Sequence, residues 1–350
     1  MKAEPAHASD PRIGQRDRGD LVTSLPVLVI MPHSRCNCRC MMCDIWKIRQ
    51  VRELTAEDLK PHRDSIRALG VEWVVFSGGE PMLHSHLRDL SSFFRSEGIR
   101  VTLLTAGLLL EKRAAMVAES FDDVIASLDG PEEIHDRVRG VPGAFGRLSR
   151  GIGALRVQHA DFPVHARCTV QKENFNRLRQ TVAAARRMNF NSISFLAADL
   201  SSAAFNRAEG WPEERRSAVR LDSDEVDELA REMEALICEN ETDIHERFIL
   251  ENASKLRNVV RHFRVQLGQC SPLSPRCNAP WVSAVIGSDG SLLPCFFHPS
   301  IGNIHEKPLV EILNSDRALN FRANLNIATN PTCQRCVCSL YLENPPSAED

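Results

Sequence analysis

The segment Leu25–Cys43 reads LPVLVIMPHSRCNCRCMMC. It opens with an apolar run of strand length, Val27-Leu28-Val29-Ile30, and passes directly into a loop holding Cys36, Cys38, Cys40 and Cys43. A buried strand that delivers reactive side chains from its C-terminal end is the arrangement of parallel α/β folds.

The rest of the chain repeats the pattern. Short β-branched runs follow at Trp73–Phe76, Val101–Leu104, Val124–Leu128, His165–Val170 and Ile193–Leu196. Segments of helical period and length separate them: Ala56–Leu69, Leu87–Glu97, Glu111–Ala118, Phe145–His159 and Asn176–Met188. Such alternation predicts a parallel sheet with crossover helices. Six strand-helix units suit a partial, TIM-like (βα)6 barrel, with a doubly wound sheet as the alternative.

Past Ala198 the character changes. Ser201–Asp222 is loop-like, and Ser223–Asn240 reads as an acidic amphipathic helix that, with the Trp211 loop, is expected to cover the barrel mouth. Beyond His262 cysteines return among frequent Pro and Gly, as in a small metal-stapled module. The expected organisation is a disordered tail over 1–22, a core over 23–220, linker helices over 221–265 and an auxiliary module over 266–345.

With 43% hydrophobic residues the chain can bury a core, and a net charge of -3 with mixed signs provides no field for nucleic acid. No run approaches the roughly 20 apolar residues of a membrane span. The opening residues lack the apolar stretch of a secretory signal, so a cytoplasmic protein is expected. Twelve cysteines in such a chain point to metal or redox chemistry rather than disulfides.

Cys36, Cys40 and Cys43 form CxxxCxxC, a spacing that can hold three corners of a 4Fe-4S cube and leave the fourth iron open; thiolates so spaced also suit zinc. Cys38 fits no ligand position. After the second strand comes Ser77-Gly78-Gly79-Glu80-Pro81. The cysteine spacing and this GGEP turn, in this order on consecutive strands, resemble the radical S-adenosylmethionine (SAM) superfamily. The resemblance implies a cluster whose open iron binds SAM, reductive cleavage to a 5'-deoxyadenosyl radical, and hydrogen abstraction from a substrate.

It also implies SAM contacts at Gly78, Gly79, Glu80 and Pro81, with Glu80 accepting from the SAM ammonium. Further contacts are expected at the next strand tips. These are Thr105, Ser127 as the preferred contact, and Arg139 or Arg167 for the carboxylate, whereas Asp129 is expected to cap the following helix. His135-Asp136-Arg137-Val138-Arg139-Gly140 resembles the corresponding stretch of SPASM-type members.

Near the C-terminus Cys277, Gly290 and Cys295 match the opening of the SPASM domain, and Cys333-Gln334-Arg335-Cys336 supplies two more thiolates. Cys277, Cys295, Cys333 and Cys336 have the ligand order of the shortened variant called twitch, which implies one auxiliary 4Fe-4S cluster that relays electrons; a zinc ribbon is the alternative. Cys168 and Cys238 read as small buried hydrophobes. His84, His86 and His298 carry no assignment.

Three functions follow. The first is an oxidoreductase-like radical SAM enzyme acting on a small molecule such as a sugar or natural-product intermediate, reduced by flavodoxin or ferredoxin. The second is a radical SAM maturase of a peptide or protein, for which a winged-helix extension would be usual and is not expected in the residues before Val27. The third is a non-catalytic zinc or iron-sulfur scaffold.

Overall fold

A computed structural model describes residues 20–207 and 210–343. Six strands lie where the apolar runs predict: β1 Val27–Ile30, β2 Trp73–Phe76, β3 Arg100–Thr105, β4 Asp123–Ser127, β5 Val164–Val170 and β6 Ser192–Ala197. Each pairs in parallel with the next, so their order in the sheet is the order in the chain. A doubly wound sheet reverses strand order at a switch point; this sheet does not, and the fold is the partial barrel.

Crossover helices Leu87–Arg95, Leu110–Ser120, Ala144–Gln158 and Leu178–Arg187 bury apolar faces against the sheet. Between them and the strands sits one continuous core, in which Phe76 meets Phe94 and Phe121 edge to face. The helix expected over Ala56–Leu69 is broken into Ala56–Leu59, a 3-10 turn Lys60–His62 and Arg63–Ala68. Pro61 lacks the N–H that an unbroken helix would use there.

The C-terminal module continues this sheet. Strand β7, Ser283–Ile286, pairs in parallel with β1, and β8 (Ser291–Leu293) and β9 (Gly302–Asn303) follow antiparallel. Both cysteine-bearing regions are therefore referenced to the same strand, β1. The expected 1–22 tail is corrected at its end, since Val22 is buried and exchanges hydrogen bonds with Asn314, while Arg322 Nε donates to Asp20 O. Residues 1–19 lie outside the described residues.

Helix Ser223–Glu239 does not cover the barrel mouth. It packs against helices Leu178–Arg187 and Ala253–Gln266 with Val226, Leu229, Met233 and Leu236 buried, and its buried Glu232 binds the Arg179 side chain and backbone N–H. The 201–222 segment, expected as loop, holds a short helix at Glu213–Ser217. Cys168 is buried as expected, whereas Cys238, near the end of its helix, is exposed. Among the described residues no helix is long and apolar enough to cross a membrane.

Candidate active site

The loop after β1 is held from two sides. On one side the GGEP turn after β2 packs onto it: Glu80 N donates to Arg35 O at 2.9 Å. A Cβ on Gly79 would stand 2.2 Å from that same oxygen, and one on Gly78 would stand 2.7 Å from Met31 Cβ. These glycines are required by the close approach of the turn to the cysteine loop.

On the other side is helix Glu132–Arg139, which follows β4. Its last carbonyls would lack partners within the helix. Arg39 N donates to Arg139 O (2.8 Å) and Met41 N to Val138 O (3.1 Å), so the cysteine loop itself satisfies that helix end.

The structure brings Cys36, Cys40 and Cys43 together at the C-terminal end of the sheet. Burial pushes the Cys43 thiol up to about 12, with Cys40 and Cys36 adding to the shift. Cys38 is buried between them, and its N–H donates to Cys36 Sγ at 3.4 Å. Hydrogen bonds to the Cys36 and Cys40 sulfurs, with burial, hold the Cys38 thiol far above its ordinary value. The Cys38 contact lowers Cys40 to about 7.

Glu80 is 1% exposed, and its carboxylate accepts from Met82 N (3.1 Å), Thr105 Oγ1 (2.8 and 3.0 Å) and Ala106 N (2.9 Å). Three donors meet this carboxylate, the Thr105 hydroxyl shared between its two oxygens, and Glu80 with Thr105 joins the tips of β2 and β3. Burial raises the Glu80 pKa against the pull of those donors. Ser127 ends β4, half-buried, opposite Arg167 of β5.

Arg139 is almost fully buried, with Nη2 2.5 Å from Asp129 Oδ2 and Nη1 3.7 Å from Cys40 Sγ. Burial opposes its charge, but Asp129 and the nearby thiols outweigh that and hold the guanidinium protonated. Asp129 does not cap the next helix. Pro131 is the N-cap there, and Asp129 Oδ1 accepts from Thr169 N at 3.0 Å, pinning β4 to β5.

Four side chains beside the loop carry no assignment from sequence. Asp44 accepts from Trp211 Nε1 at 2.8 Å and Arg215 Nη2 donates to Met41 O at 2.8 Å, which ties residues 211 and 215 to the cysteine loop. Asn37 Oδ1 and Gln171 Oε1, with Arg139 Nε, are buried polar atoms lacking partners among the described residues. Such atoms call for a ligand, and an amino acid moiety supplies both donors and acceptors.

In the C-terminal module Cys277, Cys295, Cys333 and Cys336 lie within electrostatic reach of one another. Burial raises Cys295 to about 11, with contributions from Cys277 and Cys333, and raises Cys336, with contributions from Cys338, Cys295 and Cys277. His298 Nε2 stands 3.4 Å from Cys333 Sγ, a neighbour that the sequence left unassigned. Burial lowers the pKa of that ring, so its neutral form faces the sulfur.

Among the described residues no three His, Cys, Asp or Glu side chains are gathered closely enough for one metal ion. A cubane spreads its thiolates over separate iron corners, whereas one tetrahedral zinc draws its donors onto a single ion.

An open three-cysteine loop on the first of six parallel strands, clasped by a Gly-Gly-Glu turn from the second, defines a SAM-cleaving iron-sulfur protein. The chain belongs to the radical SAM superfamily, which it matches over residues 30–197, and it carries a SPASM iron-sulfur cluster-binding domain at residues 277–337. Its cofactors are accordingly SAM and 4Fe-4S clusters.

The chain is 28% identical over 329 residues to the Fe-coproporphyrin III synthase of Methanosarcina barkeri, covering 89% of this chain and 80% of the relative. It is 25% identical over 343 residues to the PqqA peptide cyclase of Ruegeria pomeroyi, covering 90% and 83%. Streptococcus suis SuiB bound to S-adenosylmethionine shares the fold with a TM-score of 0.64 at 17% identity, over 92% of this chain and 74% of SuiB.

Proposed function

We propose that Cys36, Cys40 and Cys43 hold the SAM-cleaving cluster and that Cys277, Cys295, Cys333 and Cys336 hold one auxiliary cluster. The observation that carries this is the cysteine loop clasped between the Glu80 turn and the end of helix Glu132–Arg139. When bound, cluster and SAM supply a 5'-deoxyadenosyl radical that abstracts hydrogen from substrate.

The chain's own residues do the positioning. Gly78, Gly79, Glu80 and Pro81 set the rim on which SAM rests, with Thr105 bracing Glu80. Ser127 and the partnerless Arg139 Nε face the SAM carboxylate or ribose, and Asn37 and Gln171 supply the remaining polar partners. Arg139 keeps a positive charge beside Cys40, favouring an electron-rich cluster.

The substrate in this reading is a small organic molecule, converted in an oxidoreductase-like reaction with electrons from flavodoxin or ferredoxin. The name of the M. barkeri relative supports a tetrapyrrole-like class. The likeness to a peptide cyclase over nine tenths of the chain supports a second reading, maturation of a peptide. Twelve cysteines, none in a disulfide among the described residues, suit the reducing cytoplasm.

The test is anaerobic reconstitution of wild type and of a Cys36→Ala/Cys40→Ala/Cys43→Ala variant, with iron, sulfide and EPR measured. About eight irons should fall to about four, and only wild type should release 5'-deoxyadenosine from SAM. Zinc in both sites with no cleavage would refute the assignment. Carboxylated tetrapyrroles and peptides, offered in parallel, separate the two substrate readings by the mass change of the product.

A further inference from the structure

Two adjoining cavities of about 280 and 160 Å³ lie between the segment after β6, helix Ala253–Gln266 and the C-terminal cysteine module. Ser201 and Arg335 line both. Arg216, Arg220, His262 and Gln266 complete the first, and Asp199 and Cys336 belong to the second.

The charges in these walls do not balance. Asp199 is already consumed by a buried pair with Arg207 at 2.5 Å. Glu213 serves both Arg216 (2.8 Å) and Arg220 (2.6 Å), so one carboxylate stands against two guanidinium groups. The Arg335 guanidinium makes no ion pair or hydrogen bond with any described residue, although it sits in sequence between two cysteines of the second set. Burial lowers His262 to about 4, which leaves it neutral at pH 7. Among the described residues two positive charges around the cavities have no carboxylate of their own.

Hydrogen bonding points the same way. Among the described residues the buried Arg216 Nε has no acceptor and Gln266 Oε1 has no donor, the Gln266 amide nitrogen facing His262 Nε2 at 2.8 Å. Guanidinium groups that outnumber the carboxylates of the described residues around a cavity are a receptor for a planar or tetrahedral oxyanion. The volumes are below the usual 300 to 1,000 Å³ of a whole small-molecule site, so they suit an arm of a larger molecule.

We propose that these cavities form an oxyanion site that takes a carboxylate or phosphate arm of the substrate through Arg335 and Arg216 and holds it beside Cys336. That the bound molecule is the substrate rests on the functional reading above; the anion site itself does not.

The test titrates inorganic phosphate and propane-1,2,3-tricarboxylate into the full-length, anaerobically reconstituted protein at constant ionic strength, with heat as the readout. Wild type should show saturable binding, and Arg335→Gln and Arg216→Gln should each weaken it at least tenfold at unchanged iron content. Arg187→Gln, which removes an exposed charge on helix Leu178–Arg187, should leave it unchanged. Tighter binding of the tricarboxylate identifies a carboxylate arm, and tighter binding of phosphate a phosphorylated one.

Equal binding by wild type and both site variants, or an equal loss in Arg187→Gln, overturns the site. Arg216 lies outside the cysteine module, so a fault in that module caused by Arg335→Gln cannot mimic its effect. Formation of 5'-deoxyadenosine without added substrate is read in parallel. Its absence in wild type overturns the functional reading and leaves the binding result standing.

Discussion

Gly79→Ala places a methyl group 2.2 Å from Arg35 O and 2.7 Å from Arg35 C. Both are backbone atoms one residue from Cys36, so no side chain can swing away, and the turn must retreat by about 1 Å to reach an ordinary contact. That retreat breaks the 2.9 Å bond from Glu80 N to Arg35 O. Overpacking costs about 1 to 3 kcal/mol and the lost bond about 1 kcal/mol, so the variant should lose about 2 to 4 kcal/mol.

The cysteine loop should also lose its register. In a Cys333→Ala/Cys336→Ala background, where iron reports the first cluster alone, Gly79→Ala should incorporate well under half the wild-type iron and melt several degrees lower by anaerobic calorimetry. Gly153→Ala is the control, since a Cβ there meets nothing within 4 Å on a helix that alanine favours. Wild-type iron and melting in Gly79→Ala, or an equal loss in Gly153→Ala, would refute this account of the GGEP turn.

Arg139→Met leaves Asp129 buried without its cation and should destabilise the chain by about 3 to 5 kcal/mol in chemical denaturation, with Asp129→Asn in the same chain recovering part of the loss. Trp211→Phe removes the hydrogen bond to Asp44 Oδ2 and should cost about 1.5 to 3 kcal/mol, with faster amide exchange over residues 210–216. His135 is fully buried, and burial followed by the charge of Arg139 lowers it to about 3. Its folded pKa lies below the unfolded value near 6.5, so the unfolded state binds more protons and stability falls as pH drops from about 6.5 toward 3. Between pH 7 and 5 this group should cost about 2 kcal/mol, and His135→Asn should lose that much less than wild type over the same interval, compared by urea denaturation.

Much of the site was legible in sequence because its parts are local. The strand before Cys36 and the CxxxCxxC spacing lie within a few residues of each other, the GGEP turn directly follows the next strand, and strand-helix alternation puts both loops at the same end of a parallel sheet. The roles of single polar residues were less legible. Asp129 looked like a helix cap because the helix starts just after it, yet its partners, Thr169 and Arg139, arrive from other elements. Helix Ser223–Glu239 looked like a lid, yet its buried apolar face and the pairing of Glu232 with Arg179 hold it on the flank.

The sequence by itself determined the order of elements, the strand-helix alternation and the two cysteine sets, since hydrophobic period and ligand spacing are properties of short segments, whereas the strand order that makes a partial barrel came from the tertiary structure. Only the tertiary structure decided that β7 completes the sheet against β1, that Glu80 spends its carboxylate on Thr105 and Ala106, and that Arg335, Arg216 and Arg220 line one pair of cavities. Those facts depend on contacts between residues from 25 to more than 250 positions apart, and the periodicity of a single segment carries no information about them.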